Sequence, residues 1–328
     1  MKTNLQFSII IPHLRGKEIL KKCLDSIKSQ TYKHYDVAII DNGTNLQVER
    51  FVQLFPPNFR YIRAKKNLGF SKAVNIGIDN TKGELILVLN DDTELPSDTL
   101  KKCSRLCHKY KSYGSYAIKI LSFNTPTEID SAGLMFSIRG YGNRSNRNIV
   151  GKNDQSIEVF GPCGAGAIYW RKALEVAGKF NEDFFFFYED LELAFRLQLN
   201  GFKSLYLPSI TIFHHRSLTM DKYFDQKVYQ AIRNSILTLI SSMPFELLKE
   251  YKIEIIKFYL KLLKIIAKKG YLLTVVKALL AVLYKLPQYL IKRNSLNKLC
   301  SLNMADFKNL LYSGPIEINF PNETLLIS

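Results

Sequence analysis

The stretch Glu84-Leu-Ile-Leu-Val-Leu89-Asn90-Asp91-Asp92-Thr93 places an apolar run directly before two carboxylates. A short, continuous apolar run of this kind is typical of a strand buried on both faces of a parallel sheet. Carboxylates at the end of such a strand are costly unless they are solvated, paired or bound to a cation. Asp91 and Asp92 are therefore either ligands of a divalent cation such as Mg²⁺ or Mn²⁺, or acceptors in a local turn.

The same alternation of apolar runs and helical patterns extends towards the N-terminus. The runs Phe7-Ser-Ile-Ile-Ile-Pro12 and Tyr35-Asp-Val-Ala-Ile-Ile-Asp41 predict two buried strands with a helical pattern between them. We expect a further helix, strand and helix, over residues 47–54, 60–64 and 71–79. Strands that alternate with helices predict an α/β fold with a mostly parallel sheet and flanking helices. Asp41 and Asp91-Asp92 should then meet at one edge of the sheet.

A second apolar run, Phe184-Phe-Phe-Phe-Tyr188, is followed at once by Glu189 and Asp190. The segment after it, residues 191–201, has helical spacing, and Gly201 predicts where that helix ends. The two acids could simply favour the helix N-terminus, where negative charge is stabilised. An apolar run that delivers carboxylates to its end can also hold a charged group at the rim of a dry site. This stretch alone leaves both interpretations open.

Other segments contain residues that could line such a site. Residues 122–156 are polar and rich in glycine, and we expect a long loop over the same face. Its arginines either meet phosphate or are solvated: Arg139, Arg144 and Arg147. Gly164 belongs to a glycine-rich approach to a strand, where the backbone can come close to a ligand. His214 and His215 end a strand and are candidate metal ligands if aspartates lie nearby.

The composition restricts the classes of function. The chain has 328 residues, of which 47% are hydrophobic, enough for one large or two modest domains. Its net charge of +17 indicates a polyanionic partner: nucleic acid, an anionic membrane or a phosphorylated substrate. The five scattered cysteines favour a reducing compartment over a disulfide framework, and we recognise no signal peptide. Cys103, Cys107 and His108 lack the second ligand pair of a metal knuckle, so a helix face is favoured.

The C-terminal part changes character after about residue 243. Lysines recur between residues 249 and 268 with apolar residues between them, which is the pattern of a basic amphipathic helix that Gly270 interrupts. The next apolar stretch, residues 271–286, contains Lys277 and is too short to predict a membrane-spanning helix. We favour an interfacial helix pair lying on an anionic inner leaflet. A helical subdomain packed on the rest of the protein or on a second subunit stays open.

Taken in order, seven motifs resemble family 2 glycosyltransferases, in particular their rhamnosyltransferase-like branch. They are the strand ending at Asp41, Asn67-Leu-Gly69-Phe70, Leu89-Asn-Asp-Asp-Thr-Glu-Leu95, Ile129-Asp-Ser-Ala-Gly133, Gly164-Ala-Gly166, Phe187-Tyr-Glu-Asp190 and His214. The resemblance covers roughly residues 5–240. It implies a GT-A fold, which is Rossmann-like, together with a dTDP- or UDP-sugar donor and a divalent cation, Mg²⁺ or Mn²⁺. It also implies inversion at the anomeric carbon.

Carried over position by position, the resemblance implies a role for each candidate residue. Asp92 would bind the metal, together with His214 or His215. Asp190, supported by Glu189, would be the general base that takes the proton of the acceptor hydroxyl. The nucleotide-sugar would be held by Asp41, Asn67, Gly69, Asp91 and Gly164. After Pro12 the chain reads His13-Leu-Arg-Gly16 instead of the family's usual aromatic–Asn pair, so the donor contacts near His13 depart from the family.

These inferences combine into one hypothesis. The protein is expected to move one sugar, rhamnose if the branch is right, onto a glycan or polyprenyl-diphosphate-linked acceptor in cell-envelope polysaccharide synthesis. We expect a catalytic domain over residues 1–240, a basic amphipathic helical region over 241–300 and a tail over 301–328. We expect it in the cytoplasm, peripheral on the inner face of the cytoplasmic membrane. Nucleic acid is not an expected partner, because lysine concentrates on the C-terminal helices. A non-catalytic GT-A scaffold at the membrane surface is the alternative.

Overall fold

A computed structural model describes residues 5–14, 16–43, 47–144, 155–215, 224–298, 304–320 and 323–327. The candidate residue Arg147 and the fifth cysteine, Cys300, lie outside these ranges. The strands are β1 (Phe7–His13), β2 (Tyr35–Asp41), β3 (Phe59–Arg63), β4 (Leu85–Leu89), β5 (Thr93–Glu94), β6 (Ser115–Ser122), β7 (Ile129–Ser131), β8 (Leu134–Ser137), β9 (Gly142–Arg144), β10 (Glu158–Val159), β11 (Gly166–Trp170), β12 (Ser204–His214), β13 (Leu311–Tyr312), β14 (Ile316–Phe320) and β15 (Glu323–Ile327).

Helices follow most strands of the N-terminal part and dominate the C-terminal part. They are α1 (Lys17–Lys28), α2 (Gln47–Val52), α3 (Phe70–Asp79), α4 (Thr99–Lys109), α5 (Arg171–Ala177), α6 (Glu189–Leu199), α7 (Phe224–Ser242), α8 (Phe245–Glu250), α9 (Lys252–Ile266), α10 (Leu272–Lys298) and α11 (Met304–Asn309). Cys103 and Cys107 are buried on α4 while His108 is exposed, which agrees with the predicted helix face.

The main sheet has the strand order β10-β12-β6-β11-β4-β1-β2-β3, with β5 and β7 attached at β12 and β6. Strands β1 to β4 are parallel, whereas β11 runs antiparallel between β4 and β6. This confirms the predicted α/β class with a mostly parallel sheet. His13, Asp41 and Arg63 are register partners at the carboxyl ends of neighbouring strands, so the predicted common edge also exists.

The sheet is covered on both faces because its central strands carry consecutive apolar side chains. In β1, Ile9 and Ile11 belong to one core cluster, while Ile10 between them belongs to the other. Successive side chains of a strand point to opposite faces, so a continuous apolar run needs a layer on each side. The five residues of β4 are buried for the same reason. The core therefore supports the strand ends from both faces.

Three segments differ from the sequence-based expectation. The described part of residues 122–156, expected to be a long loop, contains the short strands β7, β8 and β9. Residues 202–208 and 210–215 suggest two strands separated by Pro208, but β12 is one long strand with an irregular register between Leu207 and Thr211. A bulge tolerates a proline that cannot donate to the ladder. The tail contains α11, the strand β13 paired with β8, and the β14–β15 hairpin, none of which the sequence indicated. Each of these elements is six residues or shorter, so periodicity gives little signal.

The C-terminal helices pack on the rest of the protein through one face. α10 lies along α7, and Arg293 donates to the backbone carbonyls of Ile240 and Met243, both at 2.7 Å. The Tyr259 hydroxyl donates to the Gly140 carbonyl at 3.1 Å. Within the described part of the chain, no helix combines the length and apolarity needed to cross a membrane. One face of these helices therefore packs on the rest of the protein, as one of the two interpretations predicts.

The turn at Gly69 touches the aromatic run directly. Gly69 has φ +82°, and a Cβ built on it would lie 2.4 Å from the carbonyl oxygen of Phe185. That same carbonyl accepts a hydrogen bond from the backbone N–H of Phe70 at 2.6 Å. Glycine is needed here for both its backbone conformation and its missing side chain.

We expect Gly69→Ala to lower the melting temperature more than Gly270→Ala does. Both glycines have positive φ, +82° and +93°, so each substitution carries backbone strain of about 1–3 kcal/mol. Of these two glycines, only Gly69 places the new methyl group against the backbone of another segment. At Gly270 the methyl group would meet no other segment of the described residues within 4 Å. Scanning calorimetry of the two variants separates these effects. Equal shifts would show that the contact with Phe185 does not constrain the fold.

Candidate active site

Three strands end side by side and bring the first candidate residues together. The Nδ1 of His13, at the end of β1, lies 2.7 Å from Asp91 Oδ2, just beyond β4. Asp41 ends β2, is fully buried and accepts a hydrogen bond from the Tyr61 hydroxyl. Burial raises the pKa of the Asp91 carboxyl, although the hydrogen bond with His13 opposes that shift. His13 is therefore the partner of Asp91, and it stands where this chain departs from the family motif.

The turn holding Asn67 and Gly69 is fixed by Asn42, which sequence reasoning did not single out. The Asn42 side-chain amide donates to Asn67 Oδ1 and to the Gly69 carbonyl, both at 3.1 Å. Its Oδ1 accepts from the Leu68 backbone N–H at 2.7 Å. Asn42 directly follows Asp41 at the end of β2. That position beyond a strand end is the sequence feature from which its role could have been predicted. Hydrogen bonds from Asn42 thus join the end of β2 to the turn at residues 67–69, the two segments predicted to bind the nucleotide-sugar.

Asp92 and His214 lie next to each other because β5 pairs antiparallel with the end of β12, with Thr93 opposite His214. His214 Nε2 is 3.1 Å from Asp92 Oδ1, and its Nδ1 is 2.7 Å from Asp130 Oδ2. Burial disfavours a charged imidazole, but the hydrogen bonds with Asp130 and Asp92 outweigh it and raise the pKa of His214. His215 instead bonds Glu94 at 2.6 Å, so His214 is the histidine that faces Asp92.

The Asp92–His214 pair fits a divalent cation. Two ligands that each lie 2.0–2.1 Å from an octahedral ion are about 3 Å apart, near the 3.1 Å between these atoms. The carboxylate of Asp130 on Nδ1 is the arrangement that orients metal-binding imidazoles. Among the described residues, no group of three or more His, Cys, Asp or Glu side chains could hold an ion. Phosphate oxygens and water would have to complete the coordination, as is usual for Mg²⁺.

Glu189 and Asp190 begin α6 directly after a strained segment of backbone. Phe187 and Tyr188 have φ values of +64° and +72°, which cost non-glycine residues about 1–3 kcal/mol each. The side-chain amide of Asn234, from α7, donates to the carbonyls of Phe186 and Phe187 at 3.1 and 2.7 Å. Contacts from outside the segment therefore hold it in place.

The two acids differ in what they can reach. Asp190 Oδ2 accepts from the Gly164 N–H at 3.1 Å, and Asp190 is partly exposed. Glu189 is 8% exposed, and its Oε2 has no hydrogen-bond partner among the described residues. Burial raises the pKa of both carboxyls, and burial together with Asp190 raises that of Glu189 to about 8. Only Asp190 is placed to meet a bound molecule. Gly164, which the sequence predicts to contact the nucleotide-sugar, donates its backbone N–H to this carboxylate.

Arg144 connects the two halves of the site. Its guanidinium lies 3.1 Å from Asp130 Oδ1, and its positive charge favours the ionised form of Asp190. The sequence left open whether the arginines of this segment meet phosphate or solvent. Arg144 pairs with Asp130, while Arg139 donates to the carbonyls of Ser313 and Gly314, both at 2.7 Å. Asp130 stands in one of the motifs that resemble the family. Its contacts with His214 and Arg144 could be recognised only from the folded structure.

Residues 8–178, more than half of the chain, match the family model described as glycosyl transferase family 2. The chain belongs to glycosyl transferase family 2. A glycosyltransferase of Mycobacterium bovis (strain BCG / Pasteur 1173P2), named for PGL/p-HBAD biosynthesis, is 29% identical over 138 residues. That alignment covers 40% of this chain and 54% of the relative, so the match spans about half the length of the relative.

Solved structures share the fold at low sequence identity. GalNAc-T7 with UDP, GalNAc and Mn²⁺ superposes with a TM-score of 0.60 at 13% identity, covering 83% of this chain and 59% of that protein. The mannosyltransferase PcManGT of Pyrobaculum calidifontis, in complex with GDP-Man and Mn²⁺, gives 0.54 at 14% identity, with coverage of 93% and 87%. The chain therefore has the expected GT-A fold.

We expect Glu189→Gln to stabilise the protein increasingly as the pH rises from about 5 to about 8. The folded state keeps the Glu189 proton up to a pKa of about 8, whereas the carboxyl ordinarily titrates near 4.5, so ionisation favours the unfolded state across this window. The variant removes that penalty, which is at most about 1.4 kcal/mol per pH unit. Melting temperatures of both proteins across the window give the answer.

The exposed glutamate of α5 provides the matched control, Glu175→Gln. This substitution removes a carboxylate of the same type without burial, so its effect should stay nearly constant with pH. A pH-independent difference between wild type and Glu189→Gln would contradict the assignment of Glu189 as a buried, protonated acid.

Proposed function

We propose that this family member is an inverting, metal-dependent glycosyltransferase that moves one sugar from a nucleotide-diphosphate donor to an acceptor hydroxyl. One observation carries the proposal: the buried Asp92–His214 pair at the strand ends is linked through Asp130 and Arg144 to Asp190. A displacement needs one group to stabilise the leaving diphosphate and another to receive the acceptor proton. The Asp92–His214 pair and Asp190, which lie on separate elements, would fill these two roles.

The side chains of this protein would divide the work as follows. Asp92 and His214 would hold the divalent ion, which, when bound, offsets the negative charge of the leaving diphosphate. Asp190 would accept the proton of the acceptor hydroxyl at a carboxylate oxygen. The N–H groups of Gly164 and Leu191, at 3.1 and 2.8 Å, orient that carboxylate and favour its charged form. Glu189 keeps its proton near neutral pH, so negative charge stays on Asp190.

The donor would lie along the edge formed by β1, β2 and β4. Asp41, Asn67, Gly69 and Asp91 surround that edge and are our proposed contacts of the nucleotide-sugar. Gly164, beside Asp190, is proposed as a further contact. The structural neighbours contain UDP or GDP-Man, so they support a nucleotide-sugar without selecting one, and dTDP- or UDP-linked donors remain our prediction from the sequence. Rhamnose as the sugar and a polyprenyl-diphosphate-linked glycan as the acceptor belong to the same proposal.

The proposed catalytic domain, residues 1–240, depends on the helical region that follows it. Tyr289 and Lys285 of α10 bond Asn181 and Asp183, directly before the aromatic run. We therefore propose that residues 241–300 support the site and are more than an extension of the catalytic domain. Peripheral attachment to the inner face of the cytoplasmic membrane stays a prediction at this point. A non-catalytic scaffold is the competing function.

Asp92→Asn is expected to weaken Mn²⁺-dependent nucleotide binding by roughly tenfold or more, because a neutral amide is a poor ligand for a hard cation. Isothermal titration of UDP, dTDP and GDP, each with and without Mn²⁺, is the measurement. Asp25→Asn is the control, because that carboxylate is exposed on α1 and paired with Lys21. Binding of none of the three by folded wild-type protein would favour the scaffold. Unchanged binding by Asp92→Asn would remove Asp92 from the metal site.

Asp190→Asn is expected to lower turnover by about 10²–10⁴-fold, the usual contribution of a positioned general base. Nucleotide affinity should stay within about twofold of wild type, because the proton acceptor does not hold the donor. Release of nucleotide from the donor that binds best, with water or extracted envelope lipid as acceptor, gives the rate. Asp79→Asn, which changes an exposed carboxylate of α3, is the control. Equal turnover of Asp190→Asn and wild type would exclude the base assignment.

A further inference from the structure

The exposed apolar side chains of this protein concentrate on two helices. Eighteen large hydrophobic residues are exposed among the described residues, and eleven of them lie between residues 253 and 291. Tyr284 is 83% exposed and Leu273 is 66% exposed. The eleven are Ile253, Ile256, Leu260, Leu272, Leu273, Val276, Leu280, Leu283, Tyr284, Leu290 and Ile291. Scattered single residues of this kind are ordinary, but a concentration marks an interaction surface.

On each helix these residues form a stripe, and we name the two stripes together the outer face. On α10 the exposed positions recur every three or four residues from Leu273 to Ile291, so they share one side of the helix. The opposite side is already buried against the protein: Val275, Ala278, Val282 and Tyr289. α10 is therefore apolar on two sides, and the fold of this chain covers only one of them.

The charge of the same segment is strongly positive. Residues 252–298 contain eleven lysines or arginines and one acid, Glu254, a net charge of +10 of the chain's +17. Seven exposed lysines lie along α9, the connecting segment Ala267–Tyr271 and the start of α10: Lys252, Lys257, Lys261, Lys264, Lys268, Lys269 and Lys277. From residue 255 to residue 298 the sequence has no aspartate or glutamate. The partner of the outer face must therefore accept apolar side chains and carry negative charge.

We infer that the outer face of α9 and α10 is the docking surface for an anionic lipid bilayer. Helices that lie in a membrane interface insert apolar side chains while lysines meet the anionic headgroups. A second copy of this chain fits poorly, since it would place one segment of charge +10 against another. A nucleic acid would satisfy the lysines and leave the leucines in water. This inference rests on surface residues and does not depend on the proposed transfer reaction.

Docking by the outer face would also give the site a fixed relation to the bilayer. The inner side of α10 contacts the segment that leads to the acid pair, through Lys285 and Asp183 at 3.0 Å. A single helix thus lies between the docking surface and the approach to Asp190. If the transferase proposal holds, this arrangement suits an acceptor that is anchored in the same membrane.

The test is sedimentation of the full-length protein with vesicles. We expect binding to vesicles of phosphatidylcholine with about 30 mol % phosphatidylglycerol, and roughly tenfold weaker binding to pure phosphatidylcholine. The triple variant Leu280→Gln/Leu283→Gln/Ile291→Gln keeps every lysine and should lose roughly tenfold in affinity for the anionic vesicles. Leu54→Gln/Val176→Gln changes exposed apolar residues elsewhere and should bind like wild type.

Several results would overturn the inference. Equal binding of wild type and triple variant would mean that lysine charge alone adsorbs the protein. Absence of wild-type binding to anionic vesicles would reject the membrane directly. A dimer without lipid, abolished by the triple variant, would assign the outer face to a second copy, and RNA binding lost in that variant would assign it to nucleic acid.

A second variant keeps the test valid if the triple variant does not fold. Tyr284→Trp places a fluorophore at the most exposed of the eleven positions, and the single native tryptophan, Trp170, lies in the sheet. Its emission should shift to shorter wavelength on adding anionic vesicles and stay unchanged with pure phosphatidylcholine. An unshifted emission with vesicle-bound protein would show that another surface makes the contact.

Discussion

Buried carboxylates at one edge of a parallel sheet impose the main constraint on this protein. An ionised acid that leaves water must find a cation or hydrogen-bond donors, or else keep its proton. The protein uses each solution: His13 pairs with Asp91, while His214 and Arg144 share Asp130. Asp190 takes backbone N–H groups, and Glu189, next to it, has its pKa raised to about 8. The loops and helices around the edge supply these partners, and this requirement constrains where they lie.

The sheet and much of its edge could be predicted from the sequence because they depend on local patterns. Apolar runs identify β1, β2 and β4, and acids come within two residues after the runs of β2 and β4. The partners of the acids could not be predicted in the same way, since Asp130 and His214 are 84 residues apart and meet only through the pairing of β6, β7 and β12. The strain at Phe187 and Tyr188 also has no local signal. Backbone conformations of that kind depend on contacts made elsewhere in the chain.

The C-terminal helices show why periodicity alone could not choose between two interpretations. An amphipathic pattern predicts one buried face and one polar face. α10 has a side that packs on α7 and a second apolar side, so both the packed subdomain and the interfacial helix describe part of it. The sequence contains the information for both faces, but only the arrangement of α7 tells which residues are used within the chain. Burial therefore had to be observed position by position.

The support of the acid pair also has a consequence for how the protein is made. Asn234 and Tyr289, which hold the segment before Glu189 and Asp190, are synthesised many residues after the acids themselves. A chain still emerging from the ribosome can assemble the parallel strands early, because their contacts lie within the first ninety or so residues. The strained backbone ahead of α6 relies in addition on Asn234 of α7. The segment that leads to the acid pair therefore acquires its full set of partners only after α10 has been translated.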